Sequence, residues 1–509
     1  MGSIVKKIAL IGIAVGATFL APGLGSFLAT QLGVGATVGK AIATVALALA
    51  TSAAVAVLAG APSTRPSPIN FRQAIANSWI IIGKRRQGGL MVFFHPRKAG
   101  SDYFRYFIFA AAGHRCRGAV RWYLTNEVVT VAGAGTVTSG ASANSAWLWF
   151  GRGTSDTDET PAAWRAETDG KWSNDHVGYD VAKIYAKFKM TDAVVQAQMP
   201  TVSAEIEGSD EIRDPRDGTV GYTNLATPAF YWWLALPREE GGFGAPDDEI
   251  PDDDVLAAWT NICDEDVPLA AGGTEKRYTF DSLIETGAEP SKVRQGFMTC
   301  CAGSFSFSGG QHLLRPGYWV PPSAILREED LSGPISVNLL GDPQEIATEV
   351  SGTFIDPDVN YQPQPVPTRS IDSDSPQQIE IDLPHVTSHT RGQRVLEIML
   401  RRAGCEKRVS WPMNIAGLEL AAMQTVTCAT NRYSLSNYAF VIDDWSLATS
   451  GSPGFEMGVP LALREENPEI YEWTADMERA RSGVADPDLA DPIPDTPPDG
   501  IIYDGQVPL

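Results

Sequence analysis

Apolar positions along this chain follow two regimes. From Ile8 to Gly60 they run almost unbroken, and Lys40 is the one charge between residues 8 and 64. Past residue 77 they come in short runs that alternate with polar positions. Pro22, Gly23 and Gly25, then Gly33, Gly35 and Gly39, interrupt the first regime and predict two apolar helices, over about 5–21 and 37–59. The second regime predicts strands at Ser78–Ile82, Leu90–Phe94, Tyr103–Ala110, Val120–Leu124 and Glu127–Val131, where β-branched and aromatic residues cluster. Residues 132–180, rich in Gly, Ser, Thr and Asp, read as loops or an inserted excursion.

Further on, Phe230-Tyr-Trp-Trp233 within Pro228–Leu236 reads as a buried helix or strand, and Val255–Cys263 has helical apolar spacing. Tyr278–Phe280 reads as a strand and Glu289–Cys301 as a helix with Val293, Phe297, Cys300 and Cys301 on one side. Ser304–Phe307 and Gln311–Arg315 form a hairpin that turns at Gly309-Gly310. A last β-rich stretch holds Ile379–Leu383, a helix from Ser388 to Ala403, and strands around Val409–Met413, Thr425–Cys428, Tyr438–Leu447 and Gly458–Arg464.

The fold class expected from this order is mainly β with α+β parts, divided into several domains and preceded by N-terminal apolar helices. The boundaries fall at 1–62 (apolar Ala/Gly-rich helical segment), 69–150 (β-rich), 151–240 (loop-rich insertion), 241–330 (α+β), 331–480 (β-rich with one helix) and 481–509 (acidic Pro-rich tail). A Pro/Ser linker over 61–68 separates the first two, and a chain of 509 residues is too long for a single core.

Charge divides the chain at Asp102, its first acidic residue. Residues 1–101 carry ten Lys and Arg, whereas the whole chain has a net charge of −21. Such an acidic body argues against general nucleic-acid binding. Ala41 to Gly60 contains no charge, and 20 helical residues at about 1.5 Å each would span a bilayer core. Ala-rich helices with Gly12-x-x-x-Gly16 and Gly35-x-x-x-Gly39 are equally suited to packing against copies of themselves.

The chemistry-bearing residues form no enzyme signature. No nucleophile elbow, P-loop, H-E-x-x-H or dinucleotide fingerprint is present, and His95, His114, His176, His312, His385 and His389 are dispersed. Ser388 as a helix cap between His385 and His389 keeps those two off one helical face. The six cysteines, Cys116, Cys263, Cys300, Cys301, Cys405 and Cys428, lack metal-ligand spacing and fit small buried residues in a reduced, cytosolic place of assembly. Asp156-x-Asp158-x-Thr160 with Glu167 has the outline of a calcium loop, but Pro161 stands where that loop needs Gly. Asp356-x-Asp358-x-Asn360 reads as a solvated turn. The acids Asp247, Asp248, Glu249 and Asp252 to Asp254 read as dipole-stabilising residues before a helix rather than an acid/base pair. Lys84-Arg85-Arg86 reads as a solvated hairpin tip, with contact to an acidic partner or nucleic acid as the alternative. No catalytic, cofactor-binding or metal-ligating residue is assigned.

Several segments resemble the hub region of tail-tip proteins of long-tailed phages, of the tip attachment protein J type. They are Ile82-Gly83-Lys84-Arg85-Arg86 to Gly113-His114, Asn261-Ile-Cys-Asp-Glu265, Lys276-Arg-Tyr-Thr279, the helix to Cys301 and its hairpin. Leu383-Pro-His-Val-Thr387, Gly417-Leu418, Asp444-Trp445-Ser446-Leu447 and Leu463 to Trp473 continue the likeness, which covers roughly 69–475. It implies a homotrimeric virion hub that closes the tail tube, with the distal tail protein ring, the tape measure protein and a tail fibre or receptor-binding protein as partners. Larger members of that family continue into receptor-contacting fibre domains, which are not found here. Residues 5–60 would lie inside the tube and enter the host membrane during DNA ejection, and phage DNA would pass the acidic body without specific binding. Two readings stay open beside it: a membrane-anchored β-rich protein, and a tail-associated cell-wall or polysaccharide hydrolase.

Overall fold

A computed structural model describes residues 77–191, 200–338, 347–372, 376–430, 432–450 and 456–481. The two helices expected over 5–21 and 37–59, and the tail past Arg481, lie outside the described residues. Among those described, no helix is long and apolar enough to cross a membrane.

The chain is mainly β, with α+β parts. Trp79-Ile-Ile-Ile82 forms β1, whose three β-branched isoleucines are almost fully buried. Lys84–Gln87 is β2, Leu90–Ala99 β3, Asp102–Ala112 β4, Cys116–Leu124 β5, Glu127–Val129 β6 and Ala146–Gly151 β7. The four-residue helix α1 (Trp164–Glu167) precedes β8 (Ala182–Lys189) and β9 (Val202–Ser209). Two four-stranded sheets result, ordered β3-β4-β8-β7 and β2-β9-β5-β6. They share a core of Ile81, Phe109, Leu148, Ile184, Phe188, Val202 and Ile206. In β8 the residues Ile184, Ala186 and Phe188 point into that core; Tyr185, on the other face, packs with Tyr106, Ile108, Trp164 and Trp172.

This arrangement departs from the loop-rich insertion expected over 151–240. That stretch supplies β8 and β9, each lying between two other strands, as well as a buried helix. Residues 152–181 do make an irregular excursion, but its Trp164 and Trp172 cover the second face of β8, so the excursion is part of the packing.

The short strands β10 (Ile212–Arg213) and β11 (Val220–Gly221) lead to helix α2 (Ala226–Ala235), which is buried around nearly its whole circumference. Next come α3 (Asp253–Asp264), β12 (Asp266–Pro268), β13 (Thr274–Lys276), β14 (Ser282–Glu285), α4 (Pro290–Cys300) and the hairpin β15 (Ser304–Ser308) with β16 (Gln311–Arg315). The expected strand at Tyr278–Phe280 is absent: Thr279 makes a lone bridge to Leu225, while Tyr278 and Phe280 are wholly buried. Regular pairing begins two residues later, where β14 joins β1. Glycines at 309 and 310 adopt positive φ at the hairpin turn, as that turn requires.

The remaining elements are β17 (Ala324–Arg327), β18 (Ser336–Asn338), β19 (Glu349–Asp356), β20 (Gln362–Ser370), β21 (Gln378–Glu380), helix α5 (His389–Ala403), β22 (Arg408–Met413), β23 (Thr425–Ala429), β24 (Ala439–Trp445), β25 (Ala448–Ser450) and β26 (Glu456–Glu466). The largest sheet runs β17-β23-β24-β26-β22-β18, with β25 attached to β26, over a core of Trp411, Phe440, Ile442, Leu461 and Leu463. Helix α5 packs instead on β19 and β20. Its Val395, Leu396 and Ile398 belong to one cluster with Ile80, Phe230, Trp233, Phe280, Phe297, Leu314, Phe354 and Ile470. That cluster joins residues from β1 to the C-terminal end, so the sequence boundaries near 240 and 330 do not separate hydrophobic cores. The six cysteines are buried free thiols.

Candidate functional site

β1 and β2 are consecutive in sequence yet belong to different sheets: β1 pairs with β14, β2 with β9. The switch occurs at Gly83, whose φ is +66°, and a Cβ there would lie 2.2 Å from Asp281 Oδ1. Only glycine combines that backbone with that approach. Asp281 in turn gathers four segments. Its Oδ1 accepts the Lys84 backbone N–H at 2.9 Å and the Asn224 amide at 3.1 Å; its Oδ2 accepts the hydroxyls of Thr387 at 2.7 Å and Thr279 at 3.2 Å.

Alternation along β2 then sends its two arginines to opposite sides. Arg85 donates to the Pro384 carbonyl at 3.3 Å and lies over the Tyr361 ring. Arg86 donates to Ser203 Oγ at 3.0 Å and the Thr125 carbonyl at 2.5 Å, above the Tyr123 ring. Arg85 and Arg86 are each only 3% exposed while Lys84 is partly exposed, so the solvated basic tip expected at Lys84-Arg85-Arg86 is a strand with two of its three cations buried. The reason is packing: aromatic rings and carbonyls from four distant segments surround it. Burial draws the Arg85 pKa down from 12.5 to about 10, against the opposing pull of Asp281 and Tyr361, so it remains charged at neutral pH.

Outward from this junction, the sheet face carries shared carboxylates. Glu205 lies between Lys84 (3.9 Å) and Arg121 (3.7 Å), and Glu207 between Lys84 (3.4 Å) and Arg117 (3.4 Å). Asp210 is held by Arg115 (2.9 Å) and Arg152 (2.5 Å). At this end the surface opens into a cleft of about 560 Å³ lined by Arg115, Arg117, Arg152, Asp210, Val220 and Tyr222. Guanidiniums fanned around one carboxylate suit the binding of anions.

A second charged cluster fixes the start of α5. Glu275 on β13 accepts Ser388 Oγ (2.7 Å), Thr390 Oγ1 (2.5 Å) and Arg394 Nη1 (2.6 Å), with Arg391 at 3.4 Å. Burial raises its pKa, but Arg391 and Arg394 with the two hydroxyls outweigh that and hold it below the ordinary glutamate value. Ser388 also caps the helix by accepting the Arg391 N–H, as its sequence position predicts.

The residues singled out in sequence are not brought together. Asp158 accepts the Thr160 N–H at 3.0 Å and pairs with Arg165, Glu167 binds Lys187 at 2.7 Å, and Asp156 meets Thr157. Asp356 is buried, contrary to the solvated turn expected there: it accepts the Asp358 N–H and pairs with Arg481, while Asn360 adopts φ +52°. Asp253 binds Arg213 at 2.6 Å in the first turn of α3. His385 lies in the core against Ser282 Oγ at 2.9 Å, whereas His389 Nδ1 meets Gln393, so the two have separate surroundings. Among the described residues, no three His, Cys, Asp or Glu side chains gather as a metal site. Asp281, Glu205, Glu275 and Tyr361 carry the junctions, and no local motif marks them, because their partners lie up to about three hundred residues away in a folded chain.

Residues 298–443 match a family described as "Putative phage tail protein". A chain from the virion of a native gene transfer agent particle has the same fold: TM-score 0.55, 12% identity, covering 87% of this chain and 99% of that one. Also similar are the tail protein from Neisseria meningitidis MC58 (TM-score 0.28, 9% identity, 78% and 98% covered) and prophage tail protein gp18 from Listeria monocytogenes EGD-e (TM-score 0.26, 11% identity, 74% and 88% covered). No curated protein matches.

Proposed function

We propose that this chain is a structural protein of a phage-type tail, and more specifically a trimeric tail-tip hub. It closes the tube beneath the distal tail ring, meets the tape measure protein, and connects to a fibre or receptor-binding protein. The observation that carries this reading is the shared fold with a virion chain over nearly the full length of both, supported by the tail-protein match at 298–443. The charged junctions agree with it. They tie segments hundreds of residues apart into one body through hydrogen-bonded ion pairs, the construction of a load-carrying component rather than of a reactive pocket. On the same reading, residues 5–60 are sequestered in the tube before infection and enter the host membrane during ejection.

Gold-labelled antibodies against the described body should mark the tip of isolated particles. Deleting residues 1–60 should leave particles that assemble and adsorb but fail to deliver DNA. Label on the head, or recovery only with membranes, would overturn the hub; normal DNA delivery by the deletion would overturn the role of the apolar segment.

A further inference from the structure

The cleft beside Asp210 is lined by three arginines and one carboxylate. Lys84, Arg115, Arg117, Arg121 and Arg152 are ion-paired with three carboxylates, Glu205, Glu207 and Asp210, and Glu211 is a further acid acting on Arg115. Side chains of the three arginines are 39%, 55% and 42% exposed. Each guanidinium has five N–H donors in a fixed plane, so one shared carboxylate leaves donors facing solvent. The Tyr222 ring lies 5.1 Å from the Arg117 guanidinium, and Val220 beside it is largely exposed. A chain of net charge −21 therefore keeps an open cationic cleft with an apolar wall.

The chain also supplies a matching anion. After Arg481, residues 482–509 contain Asp486, Asp488, Asp491, Asp495, Asp499 and Asp504 but no Lys or Arg. Asp491, Asp495 and Asp499 recur every fourth residue among Pro492, Pro494, Pro497 and Pro498. Proline restricts the free segment, which lowers the entropy lost on docking. Reach is sufficient. Arg481 pairs with Asp356, and nearby Asn360 donates to the Asn126 carbonyl just past β5. The nine residues from Asn126 back to Arg117 span at most about 31 Å, whereas fourteen residues from Arg481 to Asp495 can extend about 43 Å at about 3.1 Å each.

We infer that the acidic Pro-rich segment centred on Asp491, Asp495 and Asp499 docks in the Arg115–Arg117–Arg152–Tyr222 cleft of its own chain. Its carboxylates take the outward N–H donors, and its prolines lie against Tyr222 and Val220. The docked segment thereby covers a basic surface that would otherwise attract polyanions.

The test uses the full chain with a photo-cross-linking residue, Val220→p-benzoylphenylalanine, irradiated in a mixture of isotopically light and heavy copies. Cross-links from position 220 to residues 482–509 of the same copy are expected. They should disappear in the Arg117→Glu/Arg152→Glu variant and in about 1 M salt, where the Debye length falls to about 3 Å. The Asp491→Asn/Asp495→Asn/Asp499→Asn variant should lose them too; it alters none of the described residues, so it remains decisive if the arginine variant misfolds. Absence of tail cross-links, their survival after charge removal, or exclusive linkage between light and heavy copies would each overturn the inference.

Discussion

His114 Nε2 accepts the backbone N–H of Ile81 at 2.8 Å, while its Nδ1 donates to the Arg115 carbonyl at 2.8 Å. The ring thereby ties the middle of β1 to the start of β5, and both its hydrogen bonds require the neutral imidazole. Protonation would turn Nε2 into a donor that faces another donor.

Burial lowers the His114 pKa from 6.5 to about 4, despite the Arg115 carbonyl and Asp210, which pull it up. Between those two values the unfolded chain holds the proton and the folded chain does not. Stability is therefore complete above about pH 6.5 and falls as pH drops toward about 4, by about 3 kcal/mol for this residue. Burial and the nearby Arg85 lower His385 similarly, to about 3. Chemical denaturation at a series of pH values should show the loss, and His114→Gln should flatten part of it. An unchanged slope in that variant would refute the assignment.

Asp281 is expected to be among the costliest single losses in the protein. Asp281→Ala leaves four donors, from Lys84, Asn224, Thr279 and Thr387, without their acceptor. The destabilisation should be about 3–5 kcal/mol, and Asp281→Asn, which keeps one acceptor oxygen, should cost less. The denaturant midpoint reports both.

Gly83→Ala and Gly208→Ala test the packing of β1 against its neighbours. A Cβ at position 208 would lie 2.1 Å from the Ile81 carbonyl oxygen, and at position 83 the +66° φ adds backbone strain to the clash. The obstacle at position 208 is backbone; at position 83 it is the Asp281 carboxylate, pinned by its hydrogen bonds, with the Phe280 carbonyl oxygen 2.7 Å away behind it. Each substitution should cost more than about 1 kcal/mol, read as a lower melting temperature.

Elements governed by local rules were legible in the sequence. Ser388 caps its helix, Gly309-Gly310 turns its hairpin, and the apolar periodicity of Glu289–Cys301 gives a helix with Val293, Phe297 and Cys300 buried. What failed was the inference of exposure from charge. Arg85, Arg86 and Asp356 looked solvated because the groups that surround them, Tyr361, Pro384, Ser203 and Arg481, are remote in sequence. The strands of 182–209 were obscured by the Gly/Ser/Asp-rich excursion before them and by Lys183, Lys187 and Lys189, which alternate with the core residues of β8. The shared-carboxylate face could not be read from any window of sequence, since its cations come from β2, β5 and the end of β7, and its acids from β9 and just beyond.

Calcium should not alter this protein through the Asp156–Glu167 segment. Asp158 is committed to Arg165 and the Thr160 N–H, and Glu167 to Lys187, so binding an ion would first break two ion pairs. Melting temperatures with millimolar calcium and with a chelator should coincide. A rise with calcium that Asp158→Asn removes would contradict this.

Glu275 provides the sharpest separation between an ion pair's stability and its removal. Arg391 and Arg394 are almost fully buried, and Glu275 is the one carboxylate to which both are paired among the described ion pairs. Glu275→Ala should therefore strand two buried cations and cost about 3–5 kcal/mol, loosening α5 from β13. Replacing both Glu275 and Arg394 by Met should recover part of that loss, because one stranded charge and its desolvation disappear together. The acid limb follows the same logic with its sign fixed by the lowered Glu275 pKa. Stability from this carboxylate is present above its ordinary value and is lost as pH falls through the depressed one, a step that Glu275→Gln should abolish. If the Ala variant unfolded at the wild-type denaturant midpoint, the cluster would not be what anchors the helix.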